Sequence, residues 1–421
     1  MEERVQGLGK QTFYSKLDKQ ERYILLCCFF VFAVNGLYAM ILGSFLPLIS
    51  DAYGLSNTVS GTLLSAHSLG NLGAGFLAGI LPVYLGRKKA IIFLCTFVIL
   101  GFSIMMITGN PVLLILAFLF IGISRGSISN FNNSVVNEVS DSSPAALSFL
   151  HSIFAVGALC APFLVIFSSR LFGEAGWKVA SGVIIVLAFL SMLLFSRMKI
   201  ADRTVKNPNA TSYAFLKLKS FWIGAGILFF YLGAEACING WMVKYFVDSN
   251  LMTTEYAQVL ASLLWVAMLA GRLLCAFYGD WLKKGTLLLL TCSGTAVFYL
   301  LLLSTTNVRL ITFAIFGIGF SMAGVYPTII AAVGKTLQTY PMALGTLLVI
   351  GGVGSIIMPM VTGALSDVFG IFAGMSAVIV AIIFLLAFVG TYIIEEKRSE
   401  RRTAEGVGEF GLNRIAGDSN E

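Results

Sequence analysis

The chain has 421 residues, 57% hydrophobic and only 12% charged, with a mean hydropathy of +0.88 and a formal net charge of +7. No water-soluble core hides that much apolar surface, so lipid must solvate most side chains, and a soluble catalytic domain finds no room. The basic balance needs no nucleic-acid partner, because the placement of Lys and Arg along the chain accounts for it.

Twelve apolar stretches are predicted at 23–49, 59–86, 89–108, 111–137, 145–168, 175–196, 221–247, 256–280, 285–304, 309–335, 341–366 and 371–394. They are expected to be helices, since unpaired backbone is not tolerated in hydrocarbon, and weak alternation argues against a barrel. The fold class is therefore an all-α membrane protein of twelve transmembrane helices in two pseudo-symmetric six-helix bundles. The organisation reads as an N-terminal segment 1–22, a first bundle 23–196, a linker 197–220, a second bundle 221–394 and a tail 395–421. The first 22 residues are polar, and the run that follows is too long for a signal peptide. With the N-terminus inside, inner segments hold 22 of the 28 basic residues and outer loops only Arg170, Lys178 and Arg309. Both termini are then cytoplasmic, in a multi-pass protein of the cell (inner or plasma) membrane.

In chain order, span 1 offers Asn35 and Tyr38 as its polar groups. Span 2 carries His67 four residues before Asn71, able either to titrate near neutral pH or to bridge helices by a hydrogen bond. The turn after it reads Gly79-Ile80-Leu81-Pro82-Val83-Tyr84-Leu85-Gly86-Arg87-Lys88-Lys89. Arg87 and Lys88 serve there either as a charge clamp on neighbouring helix ends or as a plain positive-inside anchor.

Span 4 contains Gly122-Ile123-Ser124-Arg125-Gly126. Arg125 lies about 21 Å into the membrane at 1.5 Å per residue, where a guanidinium is costly unless it faces a polar cavity or a partner. Ser129, Asn132 and Asn133 continue its face, which reads as cavity lining or as helix-packing glue. His151 in span 5 has the same two readings as His67. The basic linker 197–220 includes Asn207-Pro208-Asn209.

In span 7, Tyr231, Glu235 and Asn239 share a face. Glu235 is the only carboxylate near the middle of any span, suited either to reversible proton uptake or to a permanent ion pair with Arg125 or Arg272. Lys244 is expected to snorkel to the outer interface. Arg272 in span 8 lies two turns before Asp280 on one face, so it serves either the inner gate or the substrate. Spans 10 and 11 read Gly317-Ile318-Gly319-Phe320-Ser321-Met322-Ala323-Gly324-Val325-Tyr326-Pro327 and Gly351-Gly352-Val353-Gly354 … Pro359, where small residues and proline permit close approach and bending. Residues 395–421 are expected to form a disordered tail after a frayed helix end. All seven cysteines lie in spans without metal-type spacing, and neither histidine has a companion at ligand spacing. No metal or cofactor is expected.

The second six spans repeat the first at an offset of 197: Ala146-Leu147 … Gly157 … Pro162 matches Ala343-Leu344 … Gly354 … Pro359. Two similar halves can rock about a site between them.

These features together resemble the major facilitator superfamily over residues 23 to 394. The turn Gly79 to Lys89 is similar to its cytoplasmic signature, with Val83 and Tyr84 in place of the Asp-Arg pair; the acid returns as Asp280 in the second half. Tyr231-Leu232-Gly233-Ala234-Glu235 … Trp241, Gly271-Arg272-Leu273-Leu274 and Tyr326-Pro327 resemble the fucose:proton symporter and sugar-transporter branch. The resemblance implies a secondary active transporter, not an enzyme, that moves a small polar solute, a sugar or sugar derivative, by alternating access with proton-coupled uptake. Asn35, Tyr38, Arg125, Asn132, Asn133, Tyr231, Glu235, Asn239 and Tyr326 would bind substrate. Glu235, with His151 and His67, would couple the proton, and Arg87, Lys88, Arg272, Asp280 and Pro327 would gate. The partners are then a small-molecule substrate, a proton and the bilayer, and the protein is expected to act as a monomer. An organic-anion carrier anchored by Arg125 and Arg272, an amphiphile efflux carrier and a solute receptor that kept a carrier fold remain as alternatives.

Overall fold

The computed structural model describes residues 17–140, 144–200, 213–278 and 281–417. Regular structure among them is entirely helical: α1 (Lys19–Tyr53), α2 (Asn57–Leu85), α3 (Arg87–Ile107), α4 (Pro111–Val139), α5 (Pro144–Phe172), α6 (Gly176–Arg197), α7 (Lys219–Asp248), α8 (Thr254–Tyr278), α9 (Lys284–Ser304), α10 (Val308–Met322), α11 (Val325–Ala332), α12 (Gly334–Thr339), α13 (Pro341–Phe369) and α14 (Ile371–Gly417). Eleven apolar helical runs are long enough to cross a bilayer. One of them, Phe149–Arg197, turns at Gly173 (φ +57) so that α6 packs back on α5, which brings the crossings to twelve. α10 and α11 form a single crossing, broken at Ala323–Gly324.

Local chemistry sets the ends. Asp18 and Glu21 form a capping box on α1, Ser56 caps α2, and Asn110 caps α4 immediately before Pro111. Each satisfies backbone donors that would otherwise lie unpaired at a helix start. Pro327 falls in the first turn of α11 and has no N–H to offer the Ala323 carbonyl, so the break sits just upstream of it.

In the first half, α1 packs on α5, and α4 on α2 and α3; in the second, α7 packs on α13 and α14, and α10 on α8 and α9. Glycine backbones hold these pairs close, and the repeat is visible in them. A Cβ on Gly157 would overlap the Ala33 carbonyl, and one on Gly354 the Phe229 carbonyl. A Cβ on Gly122 would meet the His67 carbonyl, and one on Gly319 the Leu264 carbonyl, and here glycines and partners alike are 197 apart.

The halves meet through α2 with α13, α5 with α8, and α1 with α7. Helix parity puts Lys19 and the end of α14 on one face, here the termini face; the turns after α1, α5, α7 and α13 lie on the opposite, distal face. One sequence expectation changes, and one detail is added. α14 continues to Gly417, so the tail expected to be disordered is helical, as its Glu, Arg, Lys and Ala content favours, with Arg398 and Glu395 4.0 Å apart one turn away. The last part of the 197–220 linker is docked: Phe215 is buried, its ring centre 4.8 Å from Phe221. The segment around Asn207-Pro208-Asn209 and the gating residue Asp280 lie outside the described residues.

Candidate functional site

The distal face is closed by polar contacts between the halves. Asp367 at the end of α13 accepts the backbone N–H groups of Asn57 and Thr58, both at 2.8 Å, and so caps the start of α2 with a full charge. Arg170 at the end of α5 donates to both carboxylate oxygens of Glu255 at the start of α8, at 3.0 and 2.9 Å. One layer deeper, Ser65 donates to the Ile356 carbonyl and Ser262 to the Leu159 carbonyl. Gln258 donates to the Ser44 carbonyl at 2.9 Å.

These contacts obey the repeat. Arg170 and Asp367 are 197 apart, as are Thr58 and Glu255, Ser65 and Ser262, and Leu159 and Ile356. The distal closure is one lock built twice, with its charges exchanged between copies. Sequence reasoning missed every member of it; the offset of 197, carried into the loop-adjacent residues, would have found them.

Toward the termini the halves part. Leu72 against Gly352 and Phe154 against Trp265 are among the last contacts, the two rings 6.2 Å apart. Beyond them Phe76 and Tyr84 on α2, Phe149 on α5 and Leu274 on α8 are exposed. No hydrogen bond or ion pair among the described residues joins α4 to α10 or α11. The described polar contacts between the halves thus gather on the distal face, and the halves diverge toward the termini.

The charged groups the sequence singled out include Glu235, Arg272 and Arg125. Glu235 accepts from the Tyr231 hydroxyl at 3.2 Å, and that hydroxyl also lies 3.1 Å from the Met322 carbonyl, at the end of α10 where the helix breaks. Glu235 has no ion pair among the described residues, so the permanent salt bridge is not formed. Arg272 and Arg125 are nevertheless both within electrostatic reach of it, Arg272 the more strongly, and Tyr326 on α11 also feels its charge. Arg272 donates only to the Met268 sulfur at 3.5 Å. It also acts on His151, which is exposed and packs edge-on to Phe32.

Arg125 is surrounded by first-half groups. The Asn35 amide donates to its carbonyl at 3.4 Å, and Tyr38 and His67 feel its charge. Asn35 Oδ1 and His67 Nε2 are buried without a hydrogen-bond partner, and the buried Tyr38 and Ser124 hydroxyls lie within reach of each other.

The remaining residues divide. Asn132 is fully buried with both amide atoms unpartnered. Asn133 and Asn239 fold back on their own helices, donating to the Ser129 and Glu235 carbonyls. Arg87 pairs with Glu138 at 2.9 Å and donates to Ser134 at 3.2 Å, so the acid lacking at Val83 is supplied by the end of α4. Lys88 stands half-buried beside it. Lys244 does not snorkel: it is 5% exposed and pairs with Asp248 at 2.7 Å, one turn on, which satisfies the ammonium where it is.

Among known proteins, the family model described as Major Facilitator Superfamily matches residues 28–340. A Protein TsgA homolog of Buchnera aphidicola subsp. Baizongia pistaciae is 22% identical over 395 residues, covering 90% of this chain and 99% of that one. The glucose/mannose transporter GlcP of Bacillus subtilis (strain 168) is 22% identical over 329 residues, 74% of this chain and 79% of its own length. In fold, the chain resembles the nucleoside transporter NupG (D323A mutant), with a TM-score of 0.71, 13% identity and coverage of 89% and 99%. It equally resembles a bacterial homolog of the human lysosomal transporter Spinster in an inward-facing, unoccupied conformation, at 0.71, 14%, 89% and 97%. The chain belongs to the Major Facilitator Superfamily: it is a multi-pass membrane protein and a secondary transporter of small solutes, not an enzyme.

Proposed function

We propose that this carrier takes up a small polar solute, a sugar or sugar derivative, by alternating access, driven by a proton bound at Glu235. One observation carries the coupling: Glu235 is a carboxylate on α7 that accepts from a tyrosine hydroxyl and, among the described residues, pairs with no cation. A carboxylate locked into a salt bridge would not exchange its proton between the two facing states; this one is free to. The charged and titratable groups around it are Tyr231 on its own helix, Arg272 on α8, Arg125 on α4 and Tyr326 on α11. Coupling then follows from linkage: proton and solute each favour the state that the other also favours, by the same free energy.

Asn35, Tyr38, Asn132 and Tyr326 offer the hydrogen-bonding groups such a solute needs, with Asn133, Asn239, His67 and His151 as further members of the lining. The glucose/mannose transport stated for the Bacillus subtilis relative supports a sugar-sized solute. The distribution of Lys and Arg supports cytoplasmic termini and residence in the cell membrane, with residues 23–196 and 221–394 as the two moving bundles of a monomer. The termini face would then be the cytoplasmic one, and this conformation the inward-open state.

Proteoliposomes with an imposed pH gradient test the coupling. Glu235→Gln is expected to keep solute exchange at equal concentrations and to lose gradient-driven accumulation. Accumulation at the unmodified level in that variant would refute proton binding at Glu235.

A further inference from the structure

Two guanidiniums, Arg272 and Arg125, lie within electrostatic reach of one carboxylate, Glu235, and their charges do not balance. Arg125 makes no hydrogen bond and no ion pair through its side chain among the described residues. Arg125 is only partly exposed, and a cation withdrawn from water without a counter-charge is costly. The neighbours of Arg125 are incompletely satisfied too: Asn35 Oδ1 and His67 Nε2 have no partner, although these residues are only 0% and 7% exposed, and the buried Tyr38 and Ser124 hydroxyls have at most each other. Buried polar atoms are almost always paired, and two orphans and a hydroxyl pair around one free guanidinium leave donors and acceptors for a polar ligand. Its chemistry follows from them. A guanidinium fork matches a carboxylate by two parallel hydrogen bonds, and a cluster of hydroxyl, amide and imidazole groups matches the hydroxyls of a sugar.

We propose that the solute is a sugar bearing one carboxylate, of the uronate or aldonate type, with that carboxylate on Arg125 and its hydroxyls on Asn35, Tyr38, Ser124 and His67. The proposal rests on the reading that a solute and a proton load the central site together. It adds a consequence that a neutral sugar would not have. One proton on Glu235 and one monoanion on Arg125 add no net charge to the site, so the loaded and empty carriers reorient with the same charge. Uptake of the acid should therefore follow the pH gradient and ignore the membrane potential. A neutral sugar entering with a proton would respond to both.

The test uses the full chain in proteoliposomes, with radiolabelled D-glucuronate, D-gluconate, D-glucose, D-mannose and D-glucose 6-phosphate as probes. A pH gradient and a potassium–valinomycin potential are imposed separately. The expected result is uptake of an acid sugar at least tenfold faster than of D-glucose at equal concentration, driven by the pH gradient and changed less than twofold by the potential. Arg125→Gln should abolish it, and Arg125→Lys should retain it with a roughly tenfold higher half-saturating concentration, since lysine keeps the charge without the fork. The potential measurement needs no variant, so misfolding of either cannot mask the answer. D-glucose or D-mannose moving as well as their acids would overturn the carboxylate and leave the proton-coupled sugar reading standing. A preference for the sugar phosphate, or acid uptake that follows the potential, would overturn the monoanion. If none of the five probes moves, both readings fall.

Discussion

Asp367→Ala removes the two hydrogen bonds that tie α13 to the start of α2 across the distal face. Ser56 still caps α2 from within its own half through the Val59 N–H, so the helix survives and the loss falls on the closure between halves. Loss of a helix cap costs about 1 kcal/mol, and the solvent exposure of this one argues against more. At 25 °C that corresponds to roughly a fivefold larger fraction of molecules open on the distal face. The opening can be read at Ser44, which is 2% exposed behind the closure and contributes only its backbone carbonyl to it. In a background without the native cysteines, a Ser44→Cys thiol reacts with an impermeant maleimide applied to the distal side only while that face is open. Its alkylation rate scales with the open fraction even when that fraction is small. We expect Asp367→Ala to raise the rate about fivefold, and Val368→Ala, exposed beside it, to leave it unchanged. An unchanged rate in Asp367→Ala, or an equal rise in both, would refute the assignment of Asp367 as a lock.

Further outcomes follow from other contacts. Tyr231→Phe removes the hydroxyl that reaches both Glu235 and the Met322 carbonyl, so pH-driven accumulation should fall severalfold while solute exchange persists; intact accumulation speaks against that link. Gly354→Val forces a side chain onto the Phe229 carbonyl and should cost about 1–3 kcal/mol. Its thermal midpoint in detergent should drop clearly below that of Gly390→Ala, where a Cβ meets nothing within 4 Å. Arg87 and Glu138, with side chains 13% and 35% exposed, should show a coupling of about 1 kcal/mol in a double-mutant cycle on thermal stability, and additive single effects would dissolve the pair.

The number of crossings and the offset between the halves were legible in the sequence because hydropathy and glycine placement are local signals that survive in one dimension. Span 5, expected over 145–168, is α5 over Pro144–Phe172, and Gly157 and Gly354 do hold the equivalent helix pairs together. The charges within spans were visible too: Arg125, Glu235 and Arg272 stand out because charge in lipid is costly. Their partners were not. Whether Glu235 met a guanidinium depended on rotamers across three helices, and the acid for Arg87 came from Glu138, 51 residues away. Pro327 marked a bend correctly but lies just past the break at Ala323–Gly324. Lys244 looked like an interfacial lysine because Asp248 falls at the end of the span, where an acid is unremarkable in sequence alone.

The break between α10 and α11 has no twin. Its counterpart 197 positions earlier lies inside α4, which runs unbroken from Pro111 to Val139. A duplicated machine with a joint in only one copy has one leaf that swings as a rigid board and one that can also fold along its own length. A wedge that stiffens the joint, such as an antibody fragment clasping α11 to α9, would hinder the folding leaf, while the same clasp on α4 would find no joint to stiffen.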